Sequence, residues 1–174
     1  MHGAVNKSQK EVLFMEKFEV VTIGKIRTDS EGARIELKKK YLSALKGLEG
    51  FSHLQILWWF SESDSPRERG RLEEASPYRE GPEVMGIFAT RSPNRPNPVA
   101  LSCVEVLHVD CRKGVIHLAY MDALEGSPVL DIKPYTPSLD RVETPSVPDW
   151  CSDWPKSLEE SGDFDWEKVF TCGG

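Results

Sequence analysis

The stretch from Val84 to Val109, VMGIFATRSPNRPNPVALSCVEVLHV, constrains this chain more than any other. Pro93, Pro96 and Pro98 fall within the eight residues Arg91–Pro98. Each proline fixes its own φ, removes a backbone donor and pushes the residue before it (Ser92, Arg95, Asn97) toward extended backbone. The flanking runs, Val84–Thr90 and Val99–Val109, are rich in Val, Ile, Phe and Leu, and read as two strands joined by a stiff connector. That connector carries Arg91, Arg95, Asn94, Asn97 and Ser92. No acidic side chain lies between Glu83 and Glu105, in a chain whose net charge is −6. A pre-stiffened loop loses little entropy when it grips a ligand. Arg suits a carboxylate or phosphate, and Asn can match a base edge. The same composition also serves as a plain turn with solvated arginines.

The rest of the chain reads as further short strands. Glu19–Ile26 and Ala33–Leu37 are strand-like, separated by the turn Thr28–Gly32. Lys38–Leu48 places Tyr41, Leu42, Leu45 and Leu48 at helical spacing, which predicts a short amphipathic helix. Its Lys38, Lys39, Lys40 and Lys46 are either a solvated face or an RNA backbone contact. Phe51–Phe60 alternates, with Leu54, Ile56, Trp58 and Phe60 on one wholly apolar side. Its His53 reads as a hydrogen-bonded structural histidine. Glu62–Pro82 is a charged surface excursion. Gly114–Met121 and Val129–Ile132 complete the set. Many short strands with brief turns argue for a mainly β fold, a small barrel or a sandwich, with one or two short helices. No G-x-G occurs, so the usual dinucleotide fingerprint is missing.

Charge is uneven. Residues 1–136 carry 19 basic and 19 acidic side chains, whereas residues 137–174 carry 3 and 9. An acidic balance disfavours non-specific binding to nucleic acid, although a local basic face can coexist with an acidic tail. Residues 1–17 read as an N-terminal extension without signal-peptide character. Residues 18–140 read as the folded domain, and 141–174 as an acidic tail too rich in Trp to be purely disordered. The tail is expected to pack along the body or against a partner subunit. No apolar run is long enough to span a bilayer, so the chain is expected to be cytoplasmic. The cysteines Cys103, Cys111, Cys151 and Cys172 form no metal-ligand spacing, and no metal is expected.

The motif GIFATRSPNRPNPVALS, with GLEGFSHLQILWWF at 47–60 and DALEGSPVLDIKPY at 122–135, resembles the TsaA-like (TrmO-type) family. The resemblance implies a small β-barrel that uses S-adenosylmethionine to methylate the exocyclic amine of threonylcarbamoyl-adenosine beside the tRNA anticodon, as a homodimer. By that resemblance Arg91, Leu101 and the turn Gly126, Ser127, Pro128 and Val129 contact the donor, with Glu62 and Ser63 in a further donor position. Arg95, Asn97 and Asp131 lie within matching motifs and receive roles by chemistry. Arg95 is a candidate substrate contact, and Asn97 a candidate catalytic group. Asp131 is a candidate general base, or an ion-pair partner for Arg91 or Arg95. The family's Pro-Arg-Gln segment after the first strand has no counterpart between Arg27 and Gly32. Alternative readings are methyl transfer to a small metabolite or protein, and a non-catalytic nucleotide-binding module.

Overall fold

The computed structural model describes residues 16–171. Eight strands form in chain order: β1 (Gly24–Asp29), β2 (Gly32–Leu37), β3 (His53–Trp59), β4 (Glu73–Ala75), β5 (Val84–Gly86), β6 (Val99–Asp110), β7 (Val115–Leu118) and β8 (Pro128–Pro134). Six of them close an antiparallel barrel in the order β1-β2-β7-β6-β3-β8. The other two, β4 and β5, make a separate two-stranded sheet. Three single-turn helices, α1 (Pro66–Arg69), α2 (Pro137–Asp140) and α3 (Leu158–Gly162), lie outside the barrel.

Alternation builds the interior. Ile26, Ile35, Leu54, Ile56, Ile116 and Val129 are wholly buried, with Leu118, Val104, Ala100 and Trp58 packed among them. Burying each large aliphatic side chain stabilises the fold by about 1.5–3 kcal/mol. The barrel closes where β1 meets β8, with Gly24 opposite Val129 and Lys25 opposite Pro128. A Cβ on Gly24 would lie 2.6 Å from the Glu36 carbonyl oxygen, so the closing seam requires glycine.

Three expectations change. The first strand runs over Gly24–Asp29 rather than Glu19–Ile26, and its pairing with Gly32–Leu37 takes in most of the expected turn Thr28–Gly32. Val84–Thr90 is not a barrel stave. Only Val84–Gly86 is extended, it pairs with Glu73–Ala75, and Ile87–Ala89 turns as a 3-10 helix. The cause is local: the Thr90 N–H and hydroxyl both donate to the Ile87 carbonyl, 3.1 and 2.9 Å. This curls the backbone before it can join β6. Likewise Lys38–Leu48 forms only a 3-10 helix over Lys39–Leu45, with Leu45 buried. Of the N-terminal extension expected over 1–17, all but the last two residues lie outside the described residues, as does Cys172.

The tail packs on the body. Tyr78, in the excursion, stacks on Trp150 with ring centroids 5.1 Å apart, and meets Trp154 edge-on at 5.1 Å and Phe170 at 5.6 Å. A bridge pairs Tyr78 with Phe170, and the Arg79 N–H donates to the Val169 carbonyl at 2.9 Å. Burial pushes the Cys103 thiol up, and the neighbouring acids Asp140 and Glu159 push it the same way.

Candidate donor site

Antiparallel topology brings the candidate residues together. At one end of the barrel β3 stops, while β6 and β8 begin. Across this end Trp58 pairs with Ala100 on β6 and with Val129 on β8. The Phe60 N–H donates to the Pro98 carbonyl at 2.9 Å, and Ser61–Ser63 follows as a 3-10 turn. Glu62 and Ser63, the Arg91–Pro98 loop with Leu101, and the Gly126–Val129 turn therefore border one barrel end. The wall that joins them is about 10 Å wide, two strand spacings. The lysine-rich segment Lys38–Lys46 lies beyond the opposite end, as does an open groove between Glu49–Ser52 and Val106–Val109.

The Arg91–Pro98 loop is braced mostly by its own side chains. The Ser92 N–H donates to the Thr90 hydroxyl (3.2 Å), and the Asn94 N–H to the Ser92 hydroxyl (3.3 Å). Arg95 turns inward. Its Nε donates to the Ser92 carbonyl at 2.8 Å, and its Nη2 to the carbonyls of Thr90 at 2.7 Å and Ile87 at 3.3 Å. Two of its three guanidinium nitrogens thus hold the loop's shape rather than face outward. Asn97 is exposed, and its carbonyl accepts the Val99 N–H at 2.7 Å.

Arg91 points the other way. Its Nη2 donates to the Leu101 carbonyl at 2.5 Å, which fixes the exposed guanidinium against the start of β6. Leu101 is itself 46% exposed, and it faces outward opposite Leu57. On the other side of Leu57 sits Asp131, so Leu101, Leu57 and Asp131 form one outward row over three strands. Asp131 pairs with neither arginine. Lys133 Nζ lies 2.6 Å from its Oδ2, and that ion pair holds the Lys133 ammonium above its ordinary pKa.

The Gly126–Val129 turn is fixed from behind. Gly126 has φ +81°, a left-handed conformation that favours glycine. The N–H of Gly126 donates to the Ile26 carbonyl, and the Ser127 carbonyl accepts the Ile26 N–H, both at 2.9 Å. Ser127 is buried, and Val129 lies within the core. Glu125 anchors the turn to the first hairpin. It accepts the Thr28 N–H and Arg27 Nη1, each at 2.7 Å, and these bonds, Thr28's first, hold its carboxyl below the usual range. The shortened Arg27–Gly32 connection is thereby clamped to the turn.

Three contributors lay outside the sequence reading. Thr90 curls the loop's entry. Tyr78 is buried under the tail, and the main chain and guanidinium of Arg91 lie close enough to oppose the upward pull of burial on its phenol pKa. Trp59 stands on the outward side of β3 with its Nε1–H on Asp64, 3.0 Å away. The outward alternation of Phe51–Phe60 could have singled out Trp59; nothing local marked the other two.

Chemically, the site offers an exposed cation, an outward carboxylate and a rigid turn. A guanidinium braced at one nitrogen keeps other donors for a ligand carboxylate. That set fits a zwitterionic nucleoside of the S-adenosylmethionine kind.

Comparison with known proteins agrees. Residues 11–141 match the family model described as the tRNA-methyltransferase O N-terminal domain. A Methanothermobacter thermautotrophicus protein described as a probable S-adenosyl-L-methionine-binding protein is 40% identical over 67% of this chain and 78% of its own length. The Escherichia coli tRNA (adenine(37)-N6)-methyltransferase is 41% identical over 66% of this chain, but only 46% of its own length. The chain thus spans less than half of that relative. A crystal structure of TrmO superposes with a TM-score of 0.59 at 29% identity, covering 76% of this chain and 64% of that one.

Proposed function

This chain belongs to the tRNA-methyltransferase O N-terminal domain family, and from that premise we propose that it is an S-adenosylmethionine-dependent methyltransferase acting on the exocyclic amine of an adenosine in tRNA. The threonylcarbamoyl-adenosine beside the anticodon is the proposed acceptor. The observation that carries this reading is the convergence of Arg91, Leu101, Glu62, Ser63 and the Gly126–Val129 turn on one barrel end.

When bound, the donor supplies an electrophilic methyl on a sulfonium. The residues' part is chiefly alignment, because an in-line displacement needs its reactants positioned more than it needs a nucleophilic side chain. Arg91 holds the donor's carboxylate. The Gly126–Val129 turn, stiffened through Ile26 and Glu125, takes the adenine edge. Asn97, exposed at the lip, orients the acceptor amine. As the N–CH3 bond forms and the S–CH3 bond breaks, the amine sheds a proton. Asp131 receives it, with Lys133 on its other oxygen. Arg95 serves the substrate indirectly by fixing the loop. The same reading makes the enzyme a cytoplasmic homodimer with tRNA as its partner. Exposed Leu72, Val84 and Phe88 around the β4–β5 sheet support a subunit contact. It also treats 18–140 as the catalytic domain and 141–174 as its tail, of which the described part, 141–171, packs onto it.

The test is methyl transfer from labelled donor to tRNA from cells lacking this modification activity, with Arg91→Ala as control. Label in an adenosine, lost in the variant, is the expected result. A second reading, methyl transfer to another acceptor, is favoured by the lysine-rich segment lying at the far barrel end and by the acidic tail. Label in a metabolite or protein fraction and none in tRNA would select it.

A further inference from the structure

We infer that Trp59 is a stacking platform for the purine ring of a bound nucleoside, an inference that rests on the donor-site reading above. Neighbouring tryptophans on β3 have opposite fates. Trp58 points inward, 4% exposed, with its Nε1–H on the Ser102 hydroxyl at 3.0 Å. Trp59 points outward and is only partly buried, so the core does not need it. Its orientation is nevertheless locked. Nε1–H donates to Asp64 Oδ2 at 3.0 Å, and Asp64 Oδ1 accepts Arg69 Nη1 at 2.9 Å. The Arg69 guanidinium lies over one face of the Trp59 ring, its carbon 5.9 Å from the centroid, so a stacking base would take the other face. Fixing a large aromatic on an outer wall through two successive charged groups costs side-chain freedom, and preorganises a flat surface.

The position gives that surface a purpose. Trp59 pairs with Val99 across the strands and is the diagonal neighbour of Leu101, whose carbonyl holds Arg91. The chain then runs directly into Ser61–Ser63. An indole held on one face by a guanidinium offers its other face to a purine, with sequence tolerance because every base has a π-face. The purine is the adenine of the methyl donor or the adenine of the acceptor. Binding measurements separate the two.

The experiment titrates the full chain and its Trp59→Leu and Trp59→Phe variants, each with S-adenosylhomocysteine and with a synthetic anticodon stem-loop RNA, and records thermal midpoints. Leucine keeps apolar bulk without a ring, and phenylalanine keeps a ring. Trp59→Leu is expected to weaken one titration about tenfold, with Trp59→Phe losing about threefold or less. Weakening with S-adenosylhomocysteine assigns the platform to the donor adenine; weakening with RNA alone assigns it to the acceptor base. Unchanged affinity for both ligands, in variants with near wild-type midpoints, overturns the platform while leaving the donor site standing. No binding by the wild-type chain overturns both.

Discussion

Arg91 and Arg95 are four residues apart and have different work. Arg91 was read as a donor contact through the family resemblance, and it stands exposed with one nitrogen braced on the Leu101 carbonyl. Arg95 was equally conspicuous and was read as a substrate contact. It instead caps the carbonyls of Ile87, Thr90 and Ser92. Nothing in the sequence separates the two, because a side chain's partner in a curled loop depends on a backbone path that local spacing does not encode. The difference is measurable. Arg91→Ala should weaken S-adenosylhomocysteine binding by about 1.5–3 kcal/mol, the range for a hydrogen bond to a charged group, and leave the thermal midpoint nearly unchanged. Arg95→Ala strips several bonds from buried or half-buried carbonyls. It should lower stability by about 1–3 kcal/mol, with faster amide exchange in 87–97. If Arg95→Ala kept full stability and lost only ligand affinity, the bracing role would be wrong. Asp131 was open between a base and an ion pair. The partner proved to be its neighbour two residues on, which lies on the same side of the strand.

Among the elements, most barrel strands were legible, whereas the bounds of β1 and the barrel's surroundings were not. Alternation in Phe51–Phe60 set which face of β3 is buried, and the bounds of β2, β6 and β8 follow the apolar runs. The β4–β5 pair was missed because its strands are three residues long, and Glu73–Ala75 carries no periodic signal. The tail's packing was expected, but its anchor was not. Tyr78 lay in a charged segment that looked solvated, yet it is 9% exposed and packed against three aromatic rings. Tyr78 also lies near Arg91, whose main chain and guanidinium oppose the rise of its phenol pKa. Trp150 is half-buried, so Trp150→Ala should cost less than the about 3–5 kcal/mol of a fully buried aromatic. It should expose 149–171 to protease and loosen Arg91, seen as weaker donor binding. A tail that detaches with unchanged donor affinity would show that the strap stabilises without positioning.

At the scale of the whole molecule, barrel closure and the site share one seam. Glu125 holds Arg27 and Thr28, Glu36 holds Arg27 and Arg34, and Asp29 holds Arg34. Each carboxyl lies below its ordinary pKa: Glu125 first through the Thr28 N–H, Glu36 through Arg27, Asp29 through Arg34. A folded pKa below the unfolded one stabilises the native state above the unfolded pKa, and the effect is lost as pH falls through the folded pKa. The thermal midpoint should therefore fall as pH is lowered from about 5 to about 3, in the ordinary carboxylate range. The fall should be shallower in a Glu36→Gln, Glu125→Gln double variant; an identical slope would remove these groups from the account. The Glu125 links of this network were beyond the sequence, because they pair residues 97 and 98 positions apart. The most direct test of the central claim is a crystal structure with S-adenosylhomocysteine bound. The account predicts its carboxylate on Arg91 and its adenine at the Gly126–Val129 turn. Density instead in the groove between Glu49–Ser52 and Val106–Val109, at the other end of the barrel, would contradict it.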